Sequence, residues 1–547
     1  MTILNSHLKK QPIIYVTRDI ERALGLNLDI QGYFIISNYS DFAKTLCENK
    51  NNILLIKNKK PLDTWELLEN KEVKKFINKL KNKNILVFKN TPQIEKICLQ
   101  NNWSLLNPSA ELSNKVEEKI SQLDWLQDLK KYLPNYAVSL VKDLKFKNKK
   151  FILQFNRSHT GSGTILIKNK KQLTEIQKKF PNRLARTADY IDGPMFTNNN
   201  IISKNNILIG NINYQITGLS PFTDLPFSTI GNDWGFANKY LTNKQKKKYH
   251  QIVLEIGEKL KKDGWKGLFG VDIAIDKKTK ELFLIEINCR QPASTTYESQ
   301  LQLQKRKINK PSLSHNYLTT FEAHLMSLLN LNLQNYQLIT ITDGSQIIQR
   351  VTKEIPFLPI PQITKILDYH WLKYDNTKPN TDLLRIQAPY SIIKKHNELN
   401  KKGKEFINFV TATQANKLWD QPRGSVILIK NNKILLMERY KFGLHYFLIP
   451  GGTMEKNETI LQTAIRETTE ETGLKFKIKS TKPIKIINSK REEYYFWGKN
   501  ISGKLKLGEE EKNRNTTNNT FQLVWKDLNE LTKINLIPEK LKKYLIK

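Results

Sequence analysis

The stretch GTMEKNETILQTAIRETTEETGL, residues 452–474, carries the most legible chemistry in this 547-residue chain. A glycine opens it, Glu458 follows six places on, and a dense segment from Arg466 to Glu471 runs up to Gly473. At 3.6 residues per turn, Glu467, Glu470 and Glu471 fall at i, i+3 and i+4, so their carboxylates share one helical face. Leu461, Ala464, Ile465 and Thr468 form a second, mostly apolar stripe suited to lie on a sheet. Adjacent carboxylates repel one another unless a cation sits among them. Hard divalent ions prefer such oxygens and bridge from them to substrate phosphates. The pattern predicts a divalent-metal helix; its alternative is a solvated acidic helix.

These residues resemble the Nudix box, with Gly452, Glu458, Arg466, Glu467, Glu470, Glu471 and Gly473 at that family's spacing and Thr468 where an aliphatic residue is usual. The resemblance implies hydrolysis of a nucleoside diphosphate linked to another group, with Mg2+ or Mn2+ held by Glu467, Glu470 and Glu471. It makes Glu470 or Glu471 the base, and Arg466 with Glu458 an orienting ion pair. Gly452, Glu458 and Gly473 take structural roles. Strand-like runs at 426–429, 433–438 and 446–448 precede the box. Others follow at 483–487, 494–499 and 521–525, with a closing helix over 536–545. The implied fold is an α/β/α sandwich over 420–547. Glu509, Glu510 and Glu511 add carboxylates that either extend the metal shell or line a solvated turn.

Upstream, residues 267–276 and 282–290 read as two strands around the polar turn 276–280, hence a hairpin. Side chains alternate along a strand, so Glu286 and Asn288 share a face that Asp272 on the partner strand can join. Two carboxylates and an amide oxygen form a second hard-cation site; the alternative is a hairpin with one wet face.

Here the chain, over about 106–329, resembles the ATP-grasp superfamily of carboxylate–amine (or thiol) ligases. The resemblance makes Asp272, Glu286 and Asn288 magnesium ligands, and places Arg290 with residues 294–296 near an acyl phosphate. Lys115 stands where the first ATP-phosphate lysine lies. The glycine-containing stretch from Arg157 through Gly161 and Gly163 corresponds to the phosphate loop, although hairpin loops of this composition commonly bind nothing. Tyr190 and Ile191 fall in the segment that links two lobes around adenine. Gln154 stands where a second ATP lysine is usual, with Arg157 or a lysine within 145–150 as substitutes, and Met195 where a ribose-binding glutamate often lies. The implied substrates are ATP, a carboxylate and an amine or thiol acceptor. The Gly- and aromatic-rich residues 215–235 either line the acceptor pocket or form an ordered surface loop.

The first hundred residues alternate short apolar runs (13–16, 33–36, 53–56, 85–88) with helical segments, which suggests a parallel α/β layer. No glycine-rich fingerprint follows Val16. The charged residues 15–22 sit where open α/β sheets place ligands, or start a solvated helix. A helix is expected from Ser113. Residues 331–419 read as the trailing part of the ATP-grasp portion. The expected class is thus α/β and α+β multidomain: an N-terminal parallel α/β layer (1–108), a two-lobed ATP-grasp fold (109–330), its connecting tail (331–419) and a C-terminal Nudix sandwich (420–547).

Composition sets the bounds. The chain is 39% hydrophobic and 10% aromatic, as folded domains are, and no apolar run approaches the ~18 residues of a membrane span. The N-terminus lacks a signal pattern, and three widely spaced cysteines build neither a disulfide framework nor a zinc site. The cytoplasm is therefore the expected compartment. The net charge of +37 suits anionic ligands. Its lysines are spread along the chain among abundant Asn and Ile, whereas a nucleic-acid footprint clusters on one face. Two roles besides that of a bifunctional enzyme stay open: a nucleotide-sensing Nudix regulator, and a nucleic-acid-processing protein.

Overall fold

The computed structural model describes residues 3–47, 50–156, 163–308, 316–352, 355, 365–366, 369–374, 376, 378–412, 421–441, 444–455, 458–488, 491–513, 515 and 519–546. The chain divides into two compact units, 1–356 with 369–405, and 357–368 with 406–547. Among the described residues no helix is long and apolar enough to cross a membrane.

The first unit begins with a five-stranded sheet, parallel throughout, whose central strand Ile13–Val16 lies between Tyr33–Asn38 and Asn84–Leu86. Both faces of that strand are buried, which is why it reads as an unbroken apolar run. The charged segment after it proves to be a docking corner. Tyr15 donates its hydroxyl to Gln291 Oε1 (2.6 Å), and the Arg22 carbonyl accepts from Gln291 Nε2 (2.8 Å). Glu21 accepts from Tyr374 (2.9 Å).

The helix expected from Ser113 starts earlier. It spans Ala110–Glu117, capped by Ser109, whose Oγ accepts from the Leu112 N–H (3.3 Å). Ser113 lies inside it and donates to the Cys289 carbonyl (2.9 Å). A four-stranded antiparallel sheet follows, ordered Tyr136–Leu140, Leu184–Asp189, Phe151–Phe155, Thr164–Ile167. One of its faces packs on the helix Lys170–Lys179 through Leu153, Phe155, Ile167, Leu173 and Ala185.

A large antiparallel sheet then holds the carboxylate hairpin, Gly267–Ile275 paired with Leu282–Asn288, at one edge. Met195–Ile202 lies beside it, followed by Asn213–Thr217 and Thr229–Asp233. Ser345–Arg350, Asp382–Ala388 and Tyr369–Lys373, from the tail region, extend the same sheet.

In the second unit, Arg423–Ile427 pairs in parallel with Arg491–Ser502, and Lys433–Lys441 pairs with Leu444–Leu448 and Asn519–Asp527. The helix Ile460–Thr472 covers one side of a core of Val426, Leu428, Leu435, Ala464, Leu474 and Phe496. The opposite core takes Leu531, Leu536, Leu541 and Leu545 from the chain end, where the expected closing helix is shorter: a 3-10 turn and Lys542–Leu545. Residue 424 is glycine because a Cβ there would lie 2.7 Å from the Ala464 nitrogen. Thr468, the departure from the box pattern, is fully buried, and its hydroxyl accepts from the Val426 N–H (3.0 Å) and donates to the Pro450 carbonyl (3.3 Å). Ile465, assigned to the apolar stripe, is 39% exposed; Thr463 and Thr472 are buried in that helix instead.

Two candidate acidic centres

On the box helix, Thr459 caps the first turn and Gly473 ends the last, at φ 68° with its N–H bonded to the Thr469 carbonyl. The three carboxylates do not point alike. Glu467 is largely buried beside Gly452, where a Cβ would come within 2.1 Å of its Oε2. Glu471 accepts the Gly451 N–H (2.8 Å), and burial, reinforced by Glu511 and Glu467, pushes it up to about 8. Glu470 faces outward with 60% of its side chain exposed. Arg466 ties the group together: Nε and Nη2 bond Glu458 (2.6 and 3.0 Å), and Nη1 reaches Glu467 (2.9 Å) and Glu470 (3.1 Å). Those bonds hold Glu458 down at about 2.

Two further residues stand at this centre, and of them only Arg423 escapes the sequence reading. Arg423, buried, donates to Ser425 and to the Ile449 and Gly451 carbonyls, and its charge opposes the upward shift of Glu471. Glu511 is buried next to Glu471, whereas Glu509 is exposed and pairs with Lys506 and Lys512.

In the first unit, Asp272 and Glu286 stand directly opposite in the hairpin register, and Asn288 donates to Asp272 Oδ2 at 3.4 Å. Burial, then Glu286, pushes Asp272 up to about 6, and its Oδ1 is buried without a hydrogen-bond partner. Burial works against Glu286 as well, but Lys119 and Arg290 hold it below its ordinary value. Lys119 Nζ lies 2.9 Å from Glu286 Oε1. Arg290 pairs with Glu117, which also takes Lys89 (2.6 Å).

Lys115 is exposed on the helix, and the buried lysine near the hairpin is Lys119, past the helix end. Gln154 is buried and contacts Arg186. Tyr190 and Ile191 join the two sheets, with Lys150 over the Tyr190 ring (4.3 Å) and Asp192 paired to Lys277. Residues 294–296 serve internal bonding: Ser294 and Thr295 to Asn199, Thr296 to the Arg22 carbonyl. Arg157 and Gly161 lie outside the described residues; Gly163 precedes the strand Thr164–Ile167. Among the described residues, no three His, Cys, Asp or Glu side chains stand ready as a metal cage.

A family model described as the NUDIX domain matches residues 420–545. These residues are a NUDIX domain. None of the curated proteins matches the chain. Among solved structures, N5-carboxyaminoimidazole synthetase from Staphylococcus aureus, complexed with ADP, is similar at a TM-score of 0.50 and 12% identity. The likeness covers 74% of this chain and 97% of that one. The biotin carboxylase domain of 2-oxoglutarate carboxylase from Hydrogenobacter thermophilus gives 0.49 and 12%, over 69% and 86%. The likeness to the synthetase is one of fold: the part of this chain ahead of the NUDIX domain is ATP-grasp in architecture.

Proposed function

We propose that the chain joins two enzymes: an ATP-dependent carboxylate–amine (or thiol) ligase, formed by residues 1–419, and a magnesium-dependent hydrolase of nucleoside diphosphate conjugates, formed by 420–547. In the ligase, 1–108 is the parallel layer, 109–330 the nucleotide-binding portion and 331–419 its tail. The observation that carries this reading is the pair Asp272–Glu286, the first buried and the second half-buried, set opposite each other in a hairpin with Lys119 and Arg290 acting on Glu286. Carboxylates and cations interleaved in this way match a polyphosphate together with its metal ion. Either charge alone would leave the other costly to bury.

Magnesium or manganese fits both centres. Asp272 Oδ1 is an orphaned buried oxygen, and Glu467, Glu471 and Glu511 repel one another as they stand. Magnesium keeps several waters and takes one or two carboxylates plus phosphate oxygens, so no complete cage is required. Asp272, Glu286 and Asn288 would hold it in the ligase, and Glu467, Glu470 and Glu471 in the hydrolase. When bound, such an ion neutralises charge on phosphate oxygens and acidifies water.

In the ligase, Lys119 and Arg290 offset charge as the γ-phosphoryl group passes from ATP to a carboxylate. The products of that step are ADP and an acyl phosphate. An amine or thiol then attacks the acyl carbon, phosphate leaves, and an amide or thioester forms. In the hydrolase, Glu471 is the carboxylate placed to take a proton from the attacking water, held in position by the Gly451 N–H. Arg466 holds Glu467 and Glu470 in place from Glu458.

The test uses the full chain, Mg2+, ATP with pooled carboxylic and amino acids, and nucleoside diphosphate conjugates in separate reactions. Wild type should release ADP with a new amide or thioester, and should cleave a conjugate at its diphosphate. Glu286→Gln should lose the first activity alone, and Glu471→Gln the second alone. Unchanged ADP release in Glu286→Gln would overturn the ligase assignment. Unchanged cleavage in Glu471→Gln would overturn the hydrolase assignment.

A further inference from the structure

The small four-stranded sheet has one face on its helix and the other only partly covered. Cross-strand register places Val138, Arg186 and Gln154 side by side on that second face, with Tyr136 and Leu184 on the same side. Tyr136, Val138 and Leu184 are 37%, 38% and 44% exposed, an apolar strip left uncovered. Within it, Arg186 is only 4% exposed.

The partners of this guanidinium are unusual. Nε and Nη2 both donate to Gln154 Oε1 (3.1 and 2.6 Å), and Nη1 donates to Gln122 Oε1 (3.4 Å). Among the described residues no carboxylate lies within ion-pair distance of it. Glu286 acts on it from further away, and burial pulls it down to about 10, so it stays charged at neutral pH. Amide oxygens orient a cation without neutralising it. A charge buried in that state is costly unless an opposite charge joins it.

A guanidinium so placed suits an anion. Arginine presents a planar fork that matches phosphate oxygens in a bidentate manner. Gln154 fixes the plane of that fork, being itself anchored by donation to Thr164 Oγ1 (3.3 Å). The adjacent apolar strip suits the faces of a purine, and the Asp272–Glu286 hairpin suits the metal that travels with a polyphosphate.

We infer that Arg186, aimed by Gln154 and Gln122, is the cation that binds the phosphates of a nucleoside di- or triphosphate in the first unit, with the base on the Tyr136–Val138–Leu184 strip. This rests on reading that unit as ATP-using. The Gln154–Arg186 pair puts the amide and the cation on opposite strands of one register position. Exchanging them therefore keeps the charge on the same face.

The test measures MgADP and adenosine binding to the full chain by calorimetry and ligand-observed NMR. Wild type should bind MgADP; Arg186→Gln should weaken it at least tenfold, and Arg186→Lys less. The double variant Gln154→Arg with Arg186→Gln should recover most of the loss. Adenosine, which lacks phosphate, should bind all four proteins alike. Unchanged MgADP affinity in Arg186→Gln overturns the inference, as does a parallel loss of adenosine or failure of the exchange to recover affinity in a protein of native helicity. Wild type that binds no MgADP overturns the ATP reading itself, and the inference with it.

Discussion

Glu471 shows how strongly position sets the chemistry of one side chain. Largely enclosed, facing Glu511 and Glu467, it is pushed up to about 8, while Glu458, bonded twice by Arg466, is held at about 2. The linkage has a definite sign. A carboxyl raised in the folded state is protonated in both states below its ordinary pKa near 4.5, and imposes no penalty there. Between pH 4.5 and 8 the unfolded chain gives up the proton and the folded chain does not, so stability falls as pH rises through that window. Glu471→Gln keeps a side-chain oxygen for the Gly451 N–H and cannot ionise. In metal-free protein, the variant should gain on wild type from pH 5 to 8 by on the order of 2 kcal/mol, read as slower exchange of box-helix amides. Added Mg2+ should reverse the order at pH 8, because it favours the ionised form that glutamine lacks. Parallel pH curves for the two proteins would remove this account of Glu471.

At the scale of elements, the box helix is joined to its sheet by a hydroxyl where its family pattern has a hydrocarbon. Thr468 answers two backbone groups, the Val426 N–H and the Pro450 carbonyl, in a fully buried position. Thr468→Val keeps the volume and removes both bonds, leaving a buried donor unpaired. The cost should be about 1–3 kcal/mol, with the Val426 amide exchanging at least tenfold faster. A variant as stable as wild type would show that hydrocarbon packing governs the joint. The same helix shows what spacing can and cannot tell. Which residues share its faces follows from 3.6 residues per turn, and so does the alternation that sets Asp272 and Glu286 together in the hairpin. How far a helix runs does not follow. The helix starts at the Ser109 cap and stops at Glu117, where Glu118 turns to extended backbone, and that end point puts Lys119 beside Glu286 while Lys115 stays exposed. Cross-strand partners are hidden for a related reason. Gln154 and Arg186 are 32 residues apart, and only the register of two strands joins them. The substitution at Gln154 was visible in the sequence; the arginine facing it was not.

At the scale of the whole molecule, each unit has its own core and its own acidic centre, and both proposed reactions act on polyanions. A net charge of +37 raises the local concentration of such substrates wherever the basic residues lie. If the lysines act as a diffuse field, salt should act on encounter alone. Between about 50 and 300 mM salt, kcat/KM should fall several-fold for ATP turnover and for conjugate cleavage, with kcat nearly constant, because exposed charges are screened beyond a Debye length of ~10 Å. A nucleic-acid surface behaves differently. Each neutralised phosphate releases counterions, so affinity falls as a steep power of salt, and a short RNA would compete with the conjugate at low salt. Steady-state kinetics of both reactions across that range, with and without a 20-nucleotide RNA, separate the two cases. A shallow, shared dependence without competition is the expected result, since the lysines are dispersed along the chain. Competition confined to conjugate cleavage, with a steep salt slope, would instead mark a basic surface around the NUDIX domain and make nucleic acid its substrate.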